Sequence, residues 1–173
     1  MGGRGFTLVE LLVTLAVGAI LLAIAIPSYG FLVDASRLAT VTNDLVSALQ
    51  LTRSEAIKRR QRVTVCKTGN AMAIAPACDS GAGWHQGWLI FVDGGTRGVI
   101  DSGDTLLRVQ GSASAGATIT ANNYSSFISY LSSGVSQGAN GLANGTLHVC
   151  VAGKQRDIII NTTGRPRLDT STC

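Results

Sequence analysis

A stretch of 23 residues without a charged side chain, from Leu11 to Val33, constrains this chain more than any other part of its sequence. As an α-helix it would be about 35 Å long, enough to cross a hydrocarbon core of about 30 Å. The whole chain has 173 residues, which are too few for two large domains. We therefore expect one membrane-spanning helix attached to one folded domain.

The residues that precede the apolar stretch have an unusual order. A short leader, Met1 to Gly5, carries one positive charge, and Phe6-Thr-Leu-Val-Glu10 follows it directly. A carboxylate at the edge of a membrane span is costly to bury unless it meets a cation. An ordinary secretory signal cut at Ala23-Ile24-Ala25 and a plain membrane anchor remain open as alternatives. Neither of them explains Gly5-Phe6 together with Glu10.

This N-terminal segment resembles the class III signal of type IV prepilins and pseudopilins. The resemblance implies that a prepilin peptidase cuts after Gly5 and methylates Phe6, and that Glu10 pairs with the N-terminal amine of a neighbouring subunit during assembly. Pro27 resembles the helix-interrupting proline of the family. The implied location is the inner membrane, crossed once, with a periplasmic head, and later an extracellular pilus filament or its tip. Other pilin subunits would be partners.

The segment after the apolar stretch predicts that the helix continues outside the membrane. From Asp34 to about Arg60 the chain has no Pro or Gly, and apolar or small residues recur at helical spacing. The basic cluster from Lys58 to Arg62 could touch nucleic acid, although cations are also expected at a helix C-terminus. We expect a leader over 1–5, a membrane and assembly helix over 6–33, and a pilin head over 34–173. The residues that would face the head's core are Leu38, Val41, Leu45, Ala48, Thr52 and Ala56.

Short β-rich runs separated by Gly, Ser, Asn and Asp follow Arg62, and they predict strands. The fold class is therefore α+β and pilin-like, with a long N-terminal helix packed on antiparallel sheet. The Gly- and Ser-rich tracts over 112–116 and 132–145 are expected to be flexible loops. The predicted strands are Arg62 to Lys67, Ala71 to Ala75, Trp88 to Asp93, Leu106 to Gln110, Ala117 to Ala121, Phe127 to Leu131, Gly145 to Val151 and Arg156 to Asn161.

Four cysteines in a chain with an export-type N-terminus indicate two disulfides in an oxidising compartment. Three pairings are possible, and proximity in sequence favours Cys66 with Cys78 and Cys150 with Cys173. A metal site is the competing interpretation, but the cysteines lack CxxC spacing. His85 and His148 lie far apart, and no nucleophile motif or phosphate-binding loop is visible. The sequence therefore predicts no enzyme, no cofactor and no metal.

Residues further along the chain resemble the GspH/FimT branch of minor pilins and pseudopilins. They are the order Val65-Cys66, Cys78, Trp84 and Gly87 to Asp93, and the ending Gly164-Arg-Pro-Arg167. Three functions fit this branch: DNA capture for natural transformation by FimT-type minor pilins, a structural tip or priming subunit of the FimU kind, and a GspH-type pseudopilin of type II secretion. Trp84 and Trp88 are expected to be core or loop anchors.

DNA capture is implied by the Gly-Arg-x-Arg motif of FimT-type pilins, which Gly164, Arg165 and Arg167 match. The arginine fork suits phosphate oxygens, and an extended Pro166 would keep the two arginines about 6.6 Å apart. Since no recognition helix is visible, the expected ligand is generic double-stranded DNA. The alternative is a polar turn with solvated charges. If a Cys150 to Cys173 bridge folds the tail beside a hairpin, Lys154 and Arg156 would converge with Arg165 and Arg167.

Overall fold

The long helix α1 begins at Leu8 and ends at Arg59 in the computed structural model. The structure describes residues 5–173, without the side chains of residues 25–28. The predicted leader residues before Gly5 and the side chain of Pro27 therefore lie outside the described residues. The chain divides into two compact units, Met1–Ser36 and Arg37–Cys173.

The start of α1 has an N-cap that the sequence analysis did not consider. Thr7 precedes the helix, and its hydroxyl oxygen accepts a hydrogen bond from the backbone N–H of Glu10 at 3.3 Å. Glu10 lies in the first turn, where a carboxylate interacts favourably with the positive end of the helix dipole. Glu10 therefore has a local role in starting the helix, in addition to any role in assembly.

The large apolar side chains of the first helical turns face outward. Among the described residues, α1 is the one helix long and apolar enough to cross a membrane. Leu8 is 74% exposed and Ile24 is 67% exposed, whereas a soluble protein would bury such residues. This exposure fits a helix whose surroundings are lipid.

The second half of α1 buries one face in the unit Arg37–Cys173. The helix ends in a Schellman motif, because the N–H of Gln61 bonds to the carbonyl of Ala56, and that of Arg60 to the carbonyl of Ile57. Arg60 has φ of 54°, the left-handed conformation that this motif requires. The predicted helical stripe is confirmed, since all six of its members are buried: Leu38, Val41, Leu45, Ala48, Thr52 and Ala56.

Two antiparallel sheets complete this unit. The first has the strand order β3-β2-β1-β5-β6 and the second the order β4-β7-β8-β9. The strands are β1 (Val63–Lys67), β2 (Trp88–Val92), β3 (Thr105–Gln110), β4 (Ala117–Ala121), β5 (Phe127–Tyr130), β6 (Ser136–Gly138), β7 (Gly145–Val151), β8 (Lys154–Ile160) and β9 (Pro166–Thr172).

One core joins the helix to both sheets. Leu45 and Leu49 of α1 lie in the same buried cluster as Ile128 of β5 and Leu147 of β7. Trp84 and Trp88 are each 2% exposed, which confirms that they are core anchors. The indole N–H of Trp84 donates to the carbonyl oxygen of Tyr124 at 2.9 Å, so its polar atom is satisfied. The predicted α+β architecture, a long N-terminal helix packed on antiparallel sheet, is therefore confirmed.

Two sequence expectations about strands were wrong, and one strand was not predicted. Ala71 to Ala75 forms turns instead of a strand, and Met72 points into solvent with 85% exposure, because the segment lies in the loop closed by Cys66 and Cys78. The tract over 132–145, expected to be a flexible loop, contains β6, which pairs with β5. The polar tail forms β9, which the sequence analysis missed, because β8 supplies its hydrogen-bond partners.

Both disulfides join the cysteine pairs that sequence proximity favoured. Cys66 is bonded to Cys78 and Cys150 to Cys173, and no described cysteine is free. The second bridge links β7 to the end of β9 across the intervening β8. The C-terminal tail is therefore attached to the second sheet by hydrogen bonds and by a covalent bond.

Candidate nucleic-acid interface

The motif Gly164 to Arg167 begins in the turn that connects β8 to β9. The side-chain oxygen of Asn161 organises this turn by accepting hydrogen bonds from the backbone N–H of Arg165 at 2.9 Å and of Thr163 at 3.2 Å. The N–H of Gly164 donates to the carbonyl of Asn161 at 2.9 Å. Asparagine favours such turns because its side chain reaches its own following backbone. The backbone of the motif is therefore fixed before any ligand binds.

Gly164 is a buried residue of the motif, and its lack of a side chain is required by the fold. Its φ is +76°, in the region that disfavours residues with a β-carbon. A β-carbon at this position would lie 2.1 Å from the carbonyl oxygen of Gly134, in the turn between β5 and β6. The glycine of the motif therefore lets two turns touch, whether or not a ligand is present.

Arg53 of α1 ties the helix to these two turns. Its Nε donates to the carbonyl oxygen of Gly134 at 2.9 Å, and its Nη2 donates to that of Thr163 at 3.3 Å. Arg53 was not predicted from the sequence as part of the site. No sequence signal could have found it, because Arg53 and Thr163 are 110 positions apart.

The two arginines of the motif are exposed and chemically available. Among the described residues, neither Arg165 nor Arg167 has a side-chain ion pair or hydrogen bond. Arg165 also lines an open groove of about 410 Å³ between the β8–β9 turn and α1. The residues that line this groove are Gln50, Arg53, Ser54, Ile57, Arg165 and Pro166.

Lys154 and Arg156 do not join the motif, so the expected convergence of four basic residues was wrong. Arg167 pairs with Ile159, whereas Lys154 pairs with Thr172 at the far end of β9. Arg156 lies three positions from Ile159, about 10 Å along the strand, and an odd separation places it on the opposite face of the sheet. The alternation of side chains along a strand therefore separates the two basic pairs.

Carboxylates share the sheet face of Arg167. Asp169 lies two positions further along β9, and it pairs with Asp157 of β8. Burial raises the pKa of Asp157, but hydrogen bonds from His148, Gln155 and Ser171 outweigh that effect and lower it. The distance from His148 Nδ1 to Asp157 Oδ1 is 2.8 Å. Asp157 is therefore held in its charged form, which weakens the positive potential around Arg167.

The basic end of α1 is largely occupied by partners within the fold. Arg59 and Lys58 both pair with Glu55, which lowers the pKa of that carboxyl. Arg62 Nη2 lies 2.7 Å from Asp93 Oδ1, in a buried network. Lys58, Arg59 and Arg62 therefore serve ion pairs within the fold, which supports a structural role of the basic cluster over contact with nucleic acid.

Metal binding receives no support from the described part of the chain. No group of three or more His, Cys, Asp or Glu residues is placed there to hold a metal ion.

Two family profiles match the chain. A profile described as type II transport protein GspH matches residues 41–164, and one described as a prokaryotic N-terminal methylation motif matches residues 2–26. No curated protein is significantly similar to the chain in sequence.

Solved structures with a similar fold include the type IV minor pilin FimU of Pseudomonas aeruginosa. In one crystal form, FimU has 22% sequence identity to this chain and a TM-score of 0.58. The aligned residues cover 80% of this chain and 94% of FimU. A second form is 20% identical with a TM-score of 0.55, covering 78% and 96%. The minor pseudopilin EpsH from the type 2 secretion system of Vibrio cholerae is 15% identical with a TM-score of 0.51, covering 78% and 97%. These likenesses show the fold, and they confirm the predicted pilin-like fold class.

Proposed function

Because the chain belongs to the type II transport protein GspH family, we propose that it is a minor pilin that captures DNA. Its general role as a minor pilin or pseudopilin follows from the family and the fold. The specific proposal is that Gly164, Arg165 and Arg167 bind extracellular double-stranded DNA without sequence specificity during natural transformation.

One observation carries this proposal. Arg165 and Arg167 are exposed cations without a carboxylate partner among the described residues. Arg165 lies on a turn whose backbone is fixed by Asn161, and Arg167 lies in the strand that follows. Guanidinium groups bind phosphate oxygens through charge-assisted hydrogen bonds. A fixed backbone reduces the entropy that binding would otherwise cost. Lys154 and Arg156 lie away from this turn and would add only to the long-range field.

The surroundings of the turn favour duplex DNA over a single strand. The two tyrosines near the turn, Tyr124 and Tyr130, are fully buried, so bases cannot stack on their rings. Burial also raises the pKa of both phenols. Contacts from arginine to phosphate carry little sequence information, so we expect binding to any duplex.

The N-terminus would supply the route to the filament. The methylation motif covers Gly5 and Phe6, which supports cleavage after Gly5 and methylation of Phe6 by a prepilin peptidase. Glu10 forms no ion pair with a described residue, which leaves it available to the N-terminal amine of a neighbouring subunit. In this proposal residues 6–33 anchor the protein in the inner membrane, and the periplasmic head over 34–173 later reaches an extracellular pilus. The proposed role needs no enzymatic activity or cofactor.

A second candidate is a structural pilus subunit or a secretion pseudopilin without DNA binding. Two findings favour it: Gly164 is needed for packing, and Asp157 and Asp169 lie on the face of Arg167. The likeness to both FimU and EpsH does not separate these two roles.

Deletion of the gene, with complementation by the Arg165→Ala/Arg167→Ala variant, tests the proposal. DNA capture predicts that DNA uptake fails in both strains while pili and protein secretion persist with the variant. If the variant restores uptake fully, the DNA-capture proposal is wrong. If deletion abolishes pili, and the Arg165→Ala/Arg167→Ala variant restores both pili and DNA uptake, the protein is a structural subunit.

A further inference from the structure

The groove between α1 and the β8–β9 turn has an arginine on each side. Arg53 belongs to the helix and Arg165 to the turn, and both line the groove of about 410 Å³. We propose that this groove binds a phosphodiester group of the duplex, and that Arg53 contacts the DNA. This inference rests on the proposed function.

Arg53 is held in place without being neutralised. Its two hydrogen bonds go to the carbonyl oxygens of Gly134 and Thr163, which carry no net charge. Among the described residues it forms no ion pair with a carboxylate. The remaining N–H groups of the guanidinium can therefore donate to an anion, and their orientation is already set.

Two other arginines near this end of α1, Arg59 and Arg62, differ from Arg53 in this respect. Arg59 pairs with Glu55, and Arg62 pairs with Asp93. Arg53 and Arg165 thus form a pair of uncompensated cations that face one space.

The groove also has an apolar lining that strengthens charge interactions. Ile57 is 46% exposed and lines the groove with the ring of Pro166. Apolar walls lower the local dielectric constant, so a phosphate between the two guanidiniums interacts with them more strongly than in open water. A duplex bound at Arg165 would thereby also contact the helix.

A matched pair of glutamine substitutions tests this proposal. Gln50 lines the groove and Gln61 does not, and both side chains are exposed, so Gln50→Glu and Gln61→Glu change the net charge equally without removing a core contact. Duplex DNA binding is measured with the full chain in a neutral detergent at low salt. We expect Gln50→Glu to weaken binding about fivefold, since a carboxylate about 4 Å from a phosphate repels it, and Gln61→Glu to weaken it less than about twofold.

The salt dependence of Arg53 variants separates a contact from a positioning role. If Arg53 contacts a phosphate, Arg53→Gln reduces the slope of log affinity against log salt by about 0.9, whereas Arg53→Lys keeps it. A residue that only holds the turn would lower the affinity and leave the slope unchanged.

Equal effects of Gln50→Glu and Gln61→Glu, or an unchanged slope in Arg53→Gln, overturn the groove proposal. If Arg165→Ala/Arg167→Ala still abolishes binding in that case, the proposed function stands without the groove. Absence of DNA binding by the unaltered chain overturns both proposals.

Discussion

A β-carbon on Gly164 would lie 2.1 Å from the carbonyl oxygen of Gly134, so these two glycines bring two turns into direct contact. Gly134 is itself crowded, since its own β-carbon would lie 2.9 Å from Ile57 Cδ1 and 3.2 Å from Arg53 Nε. The β8–β9 turn, which carries Arg165, is therefore positioned by its contacts with the β5–β6 turn and with α1.

Substitution of Gly164 by alanine should destabilise the protein more than the same substitution at Gly153. Both glycines have nearly the same positive φ, +76° at Gly164 and +78° at Gly153. A β-carbon meets nothing within 4 Å at Gly153 but meets a carbonyl oxygen at Gly164. We expect a loss of about 1 kcal/mol for Gly153→Ala and at least about 2 kcal/mol for Gly164→Ala.

Urea denaturation of both variants measures this difference. Because φ is nearly the same at the two positions, the difference between the variants reports mainly the contact between the two turns. Equal unfolding free energies would show that the turns do not touch in solution.

Removal of the C-terminal disulfide should lower the stability of the head. Cys150 and Cys173 close a loop with a sequence separation of 23, for which the chain-entropy estimate is about 3 kcal/mol. The variant Cys150→Ala/Cys173→Ala should lose about 3 kcal/mol of unfolding free energy in denaturant. Strand β9 should be the first element to unfold in this variant, and hydrogen exchange at the β9 amides would detect that opening. Unchanged protection of the β9 amides would show that the pairing with β8 suffices.

Acid should remove part of the stability that Asp157 provides. Its folded-state pKa is lowered, so its contribution is present above the ordinary carboxyl pKa and is lost as the pH falls through the folded value. Asp157→Asn should cost about 1 kcal/mol near neutral pH, because a neutral amide accepts weaker hydrogen bonds than a charged carboxylate does. The unfolding free energies of the unaltered protein and of Asp157→Asn, measured across the acid range, should converge as the pH falls. A difference in unfolding free energy that stays constant with pH would contradict the prediction.

The sequence predicted those parts of the fold whose periodicity is determined by burial. The helical stripe from Leu38 to Ala56 faces the core, and the strand Gly145–Val151 was predicted with the bounds it has. Each of these segments must hide one face from water, so apolar residues recur along it. The exposed, polar strand Pro166–Thr172 has no such requirement, and its conformation depends on β8 and on Cys150.

The candidate site was predictable only in part, for a similar reason. The motif from Gly164 to Arg167 is local in sequence, so its place in a turn could be expected. The participation of Arg53, and the separation of Arg156 from Arg167, depend on strand register and on contacts between distant segments. Such relationships leave no local pattern that a single sequence would reveal.

The measurement that tests the account most directly is the salt dependence of duplex DNA binding by the full chain and its Arg165→Ala/Arg167→Ala variant. A matched control is Arg97→Ala/Arg108→Ala, which removes the same charge from the loop after β2 and from β3. The account predicts that the first variant loses affinity sharply and that its salt slope falls by about 1.8, while the control keeps the original slope. Equal binding by both variants, or no binding by the unaltered chain, would contradict the proposed DNA capture.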